Sequence, residues 1–199
     1  MKRLMLLPLL VLIAFANPTL TEKERKFAKD HLTATKDDLV KTVSNLSEAQ
    51  LKFKSAPDRW SVQECVMHIA KAEQMLWGAL EQGMKEPANP EKRSELKFTD
   101  EQWITAIQDR SKKFKAPEPI QPQNTGFASL QDALTAFTTG RDKIINYVST
   151  TQDDLRNHVI NFPVGLLDAY QMVLFISAHS NRHTQQLKEV MADPNFPKN

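Results

Sequence analysis

Apolar residues recur along this chain at the spacing of helices. Between Glu22 and Val43 the positions Phe27, His31, Leu32, Leu39 and Val43 fall on one stripe, because residues three, four and seven apart share a face at about 3.6 residues per turn. Ser61-Val62-Gln63-Glu64 is a capping box, in which hydroxyl and carboxylate satisfy free backbone amides, so a second helix is predicted from there to about Gln82. Thr99-Asp100-Glu101-Gln102 opens a third through Trp103 and Ile107 to about Phe114. Ser129 caps a fourth, with Leu130, Leu134, Phe137, Ile144, Ile145 and Val148 spaced for burial, and a last long helix spans Leu166 to Met191, closed by Pro194.

The connections read as a loop through Ser55-Ala56-Pro57, a charged loop from Glu86 to Ser94, an extended linker at Ala116-Pro117-Glu118-Pro119 with Pro122, and an irregular stretch holding His158 and Pro163. With five glycines and no alternating β-branched run bounded by an Asn-Gly type of turn, no strand is predicted. The expected architecture is all-α: an up-down-type four-helix bundle with an additional short helix and irregular loops.

The N-terminus changes the domain picture. Lys2 and Arg3, the apolar run Leu4 to Phe15 and Ala14-Phe15-Ala16 have the form of an export signal cleaved after residue 16, which leaves 17–199 as a single helical-bundle domain. The run is too short to span a bilayer, which takes about 20 apolar residues, so the expected product is periplasmic or secreted with no stable membrane insertion. Cleavage would remove two positive charges and leave 24 basic against 24 acidic residues. That balance gives no electrostatic basis for a nucleic-acid partner. Cys65 stands alone, so the domain has no internal disulfide and relies on a core that 41% apolar residues can fill.

Candidate chemistry begins with His179 and His183. Four residues apart on a helix, they lie about 6 Å apart along its axis and roughly 40° past a full turn, so both imidazoles can reach one divalent ion. His68, about two turns into the second helix between Met67 and Ile69, is the candidate third ligand, since bundle cores build metal sites from facing helices and three histidines form a zinc set with an open position. Gly-rich phosphate loops, G-x-S-x-G and C-x-x-C are absent.

Two segments resemble a known family, the DinB/YfiT-like four-helix bundles of metal-dependent enzymes. Trp60-Ser61-Val62-Gln63-Glu64 followed by His68-Ile69 and Ala72-Glu73 is similar to the family's W-S-x-x-E...H-I-x-x-x-E opening of the second helix. Ala178 to Leu187, with His179, Arg182, His183 and Gln186, is similar to its H-x-x-R-H-x-x-Q-I ending. The resemblance covers about residues 22 to 192. It implies that His68, His179 and His183 hold one divalent metal ion, zinc or nickel foremost, with water in the open position. A homodimer through bundle faces would also fit the family, although no self-complementary patch is visible in the sequence.

Other conspicuous residues have plainer readings. Gln186 could orient a ligand or be an exposed glutamine; Glu73, five residues past His68 and off its face, reads as a helix-surface charge, and Glu64 as part of its capping box. His31 and His158 lack partners at metal spacing, Cys65 reads as a small buried hydrophobe, and the three tryptophans as packing residues. Three functions stand side by side: a metal-dependent hydrolase acting on a small molecule through metal-activated water, a thiol-dependent transferase of the same family, and a non-catalytic metal-binding or interaction module. Fold alone does not choose among them.

Overall fold

The computed structural model describes residues 20–198; the expected export signal lies outside them. Side-chain caps set the helix starts. Thr21, Ser61, Thr99 and Asp168 each close a capping box, before α1 (Glu22–Val43), α3 (Val62–Gly83), α4 (Asp100–Gln108) and α6 (Ala169–Met191). Ser129 caps α5 (Leu130–Thr150) through the Asp132 amide. A short helix α2 (Glu48–Lys52), opened by a Ser47–Gln50 box, was not foreseen. Its single turn is too brief to show an apolar period.

Two helix ends are corrected, and with them the expectation of no strand. The third helix ends at Gln108 rather than near Phe114, because Asp109 turns to extended geometry and the carbonyls of Ile107, Asp109 and Lys112 bond to Arg182 of α6 instead of continuing a helix. The last helix starts at Ala169 rather than Leu166, since β1 (Val159–Phe162) and β2 (Gly165–Asp168) pair as an antiparallel hairpin in register Val159↔Asp168 to Phe162↔Gly165. The hairpin turns through Pro163-Val164 into Gly165 at φ 125°, a conformation that suits glycine, and it carries none of the usual Asn-Gly or Asp-Gly signal.

α1 packs against α5 and α6, and α3 packs against the same pair. The successive long helices α1 and α3 therefore share one diagonal of the bundle, and α5 and α6 the other. Cross-links give the directions. Arg25 reaches the Val148 carbonyl and Lys36 reaches Asp142, so α1 and α5 are antiparallel. Tyr170 reaches the Glu24 carbonyl and Lys188 reaches Asp38, so α6 runs parallel to α1; Glu73–Arg141 and Glu81–Lys143 make α3 and α5 parallel. The four-helix bundle is thus ordered up, down, down, up, and the segment between α3 and α5 must carry the chain back along a helix about 33 Å long. α4 lies on that return path, packed against α6.

The core has two apolar halves. One gathers Leu32, Leu76, Leu80, Ile144, Val148 and Leu174, the other Leu39, Val66, Ile69, Phe137, Leu187 and Val190. Between them lies a polar layer built on Arg141, which is fully buried. Its Nε and Nη2 donate to the two Glu73 carboxylate oxygens at 3.0 and 2.5 Å, Nη1 donates to the Leu32 carbonyl and Thr35 Oγ1 at 2.9 and 2.7 Å, and Nη2 also donates to Ser180 Oγ at 2.8 Å. All five guanidinium donors are used, and all four long helices are tied. Glu73, expected at the surface, is only 4% exposed. Its position about 140° around α3 from His68 faces α5, and α3 is flanked by two helices, so both faces are interior.

Candidate metal centre

The Ser61 cap starts α3 so that His68 falls two turns in, facing α6. His179 and His183 stand one turn apart on α6, and the structure brings all three together: one ring nitrogen from each lies within 4.8 Å of the others. Ring centroids are separated by 5.2 Å for His68–His179, 4.3 Å for His68–His183 and 4.5 Å for His179–His183. His68 is buried, and His179 and His183 are half-buried.

Hydrogen bonding decides what these rings offer. His68 Nδ1 lies 2.7 Å from the Ile120 carbonyl, which can only accept, so Nδ1 carries the proton and Nε2 is left with a lone pair. His183 Nδ1 lies 2.8 Å from Gln186 Oε1 and is protonated by the same reasoning. The two Nε2 atoms then face each other at 3.1 Å with no proton between them. Two lone pairs so placed repel unless a cation lies between. A tetrahedral ion with bonds of about 2.0–2.1 Å to nitrogen would hold its ligands about 3.3 Å apart, close to this spacing. The donor set therefore fits a divalent ion such as zinc.

Electrostatics point the same way. Burial pulls the His68 pKa down to about 4, with the Ile120 bond opposing, and drives His179 and His183 well below the ordinary range, the neighbouring imidazoles adding to the effect. All three are neutral at physiological pH, the form that ligates metal. Trp60, expected as a packing residue, packs against the site itself, its ring 4.8 Å from that of His68 and 6.1 Å from that of His183. Phe175 closes the His179 side at 6.0 Å.

The remaining candidates stay apart from the cluster. Cys65 is buried in the apolar half-core, as expected, and burial pushes its thiol up to about 12. His158 donates Nδ1 to the Asp154 carbonyl at 2.7 Å and borders a separate cavity of about 340 Å³ with Asn89 and Lys92. His31 lies against Gln108 of α4. Sequence reasoning overlooked Arg141 and Arg110, and gave no role to Arg182, which binds the carbonyls after α4. Arg141 had a legible signal, because it occupies a stripe position of α5 between Phe137 and Ile144. Arg110 falls just past α4, in the stretch expected to be helical to about Phe114, and Ile120 lies in a segment with no period to read.

The sequence profile of the DinB superfamily matches residues 31–187, a span that holds the three histidines and most of the bundle. The chain belongs to the DinB superfamily. This DinB-superfamily protein is 25% identical over 149 residues to the uncharacterized protein YuaE of Bacillus subtilis (strain 168), a match covering 74% of the chain and 87% of YuaE. Its fold is similar to that of YfiT from Bacillus subtilis, with a TM-score of 0.61 and 12% identity over 90% of this chain and 92% of YfiT. YfiT is described as a probable metal-dependent hydrolase with an unusual four-helix bundle topology. At that identity the likeness concerns the fold.

Proposed function

We propose that His68, His179 and His183 hold one divalent metal ion, zinc or nickel foremost, and that the protein is a metal-dependent hydrolase of a small molecule. The carrying observation is the 3.1 Å approach of the His68 and His183 Nε2 atoms, with both Nδ1 protons committed elsewhere. The description of YfiT supports the same reading. A bound metal would supply Lewis acidity, able to polarise a substrate oxygen or to lower the pKa of water toward neutrality. The chain's own contribution is to keep the imidazoles neutral by burial, to fix ring orientation through the Ile120 carbonyl and Gln186, and to wall the site with Trp60 and Phe175. Cys65, sealed in the core with its thiol raised, is not the nucleophile of the site, which favours water in that role.

Elemental analysis tests the site. Protein purified without chelator or metal-affinity resin is expected to carry about one ion per chain, and a folded His68→Ala, His179→Ala, His183→Ala variant almost none. Equal, negligible metal in both after challenge with zinc, nickel, iron and manganese rejects the site. Metal binding without hydrolysis across a panel of small esters and amides would move the protein to the binding-module class. Export is part of the proposal and rests on residues 1–16; N-terminal sequencing of the secreted product, starting at Asn17, tests it.

A further inference from the structure

The Gln186 amide, which receives the His183 proton, has two faces, and only one of them leaves His183 able to ligate. If the carboxamide turned over, its NH₂ would meet Nδ1, the ring proton would move to Nε2, and the lone pair facing His68 would be lost. What holds the amide is Arg110, on the segment that follows α4. Its Nη1 lies 3.4 Å from Gln186 Oε1, the same oxygen that accepts from His183 Nδ1 at 2.8 Å. A guanidinium has no acceptor, so it can face only the oxygen. Arg110 is itself clamped: Nε and Nη2 donate to the two Glu189 carboxylate oxygens at 3.1 and 2.8 Å. Arg182, between the two ligand histidines of α6, holds the carbonyls of Ile107, Asp109 and Lys112 on either side of it.

We infer that Arg110 is a positioning residue, which sets the orientation of the Gln186 amide and thereby fixes the His183 proton on Nδ1. The chain of fixed identities runs from Glu189, an acceptor only, through Arg110, a donor only, to Gln186 and His183. For its consequence this rests on the tri-histidine site of the proposed function; for its test it does not. The Arg182 contacts hold in place the segment that presents Arg110.

Nitrogen NMR of the His183 ring in the metal-free full chain near neutral pH reads the tautomer directly. The parent is expected to show a protonated Nδ1 and a free Nε2. Arg110→Met should populate the Nε2-protonated form and weaken zinc binding by about tenfold or more, the usual effect of losing such a support. Adding Gln186→Glu to that variant should restore both, because a carboxylate has no donor face and needs no Arg110 to choose for it. A general structural defect would not be repaired in this way. Arg110→Lys, which keeps a donor, should retain the parental tautomer. Unchanged tautomer and affinity in Arg110→Met, or losses that Gln186→Glu leaves in place, would overturn the inference. If the parent binds no zinc, the tri-histidine reading fails, while the ring spectrum still decides the role of Arg110.

Discussion

The interior of this bundle holds two polar clusters about a helical turn apart, and they are finished to different degrees. Around Arg141 every donor meets an acceptor, and the charge is neutralised by Glu73 at 2.5 Å. Around His68, His179 and His183 the outward nitrogens of two rings are satisfied, and the inward ones face each other as lone pairs. Natural interiors rarely leave buried polar atoms unpaired, so the first cluster reads as a completed structural tie and the second as a place made for a cation. Two helices, α3 and α6, supply both. α3 contributes Glu73 and His68, and α6 contributes Ser180 between its two histidines.

The largest effect is expected from breaking the completed cluster. Arg141→Met leaves the Glu73 carboxylate buried without its partner and should cost about 3–5 kcal/mol in urea unfolding. Replacing both, as Glu73→Leu with Arg141→Met, should cost less than the single change, because no orphaned charge remains. A double variant as unstable as the single one would show that the tie stabilises beyond charge balance.

Acid should separate the clusters next. The His68 pKa is depressed from an ordinary 6.5 to about 4. Between those values the unfolded chain takes up a proton that the native state refuses, so stability falls as pH drops below about 6.5 and levels off near 4. For metal-free protein that amounts to on the order of 3 kcal/mol from His68 alone, with His179 and His183 acting in the same direction. Unfolding curves in chelator at stepped pH measure it. His68→Ala should flatten the slope, and an unaltered slope would place the acid sensitivity elsewhere.

Metal reverses the sign for the unfinished cluster. At about 100 times its dissociation constant, an ion that binds only the native state adds about 2.7 kcal/mol. Zinc titration followed by denaturant unfolding should show that gain in the parent and none in His183→Ala. An equal gain in both would mean that the ion binds at a site His183 does not form.

The two clusters also differed in how legible they were. H-x-x-x-H and the Ser61-capped helix bearing His68 are local patterns, so the ligand candidates were readable from spacing, as were the α1 and α5 stripes. Glu73 was misplaced because a single-stripe reading of α3 assumes one buried face, whereas a helix flanked by both α5 and α6 buries two. The β1–β2 hairpin was missed because its turn, Pro163-Val164, carries no standard signal. Ile120 and Arg110, which set the imidazole tautomers, come from a segment without periodicity and from just past the end of α4; only tertiary contact shows what they reach.

Ser180 gives the finest test, because it belongs to one cluster while sitting beside the other. Its hydroxyl accepts from Arg141 Nη2 at 2.8 Å and donates to the Ser177 carbonyl at 2.9 Å, and its neighbour in sequence is His179. Ser180→Ala removes one of the five Arg141 contacts and should cost about 1.5 kcal/mol, the lower end for a hydrogen bond to a charged group. If the clusters are energetically separate, the variant should bind zinc with parental stoichiometry and gain the same stability from it. A reduced zinc gain would show that Arg141 also holds the α6 turn on which His179 and His183 stand, and the completed cluster would then be a foundation of the metal centre as well as a tie between helices.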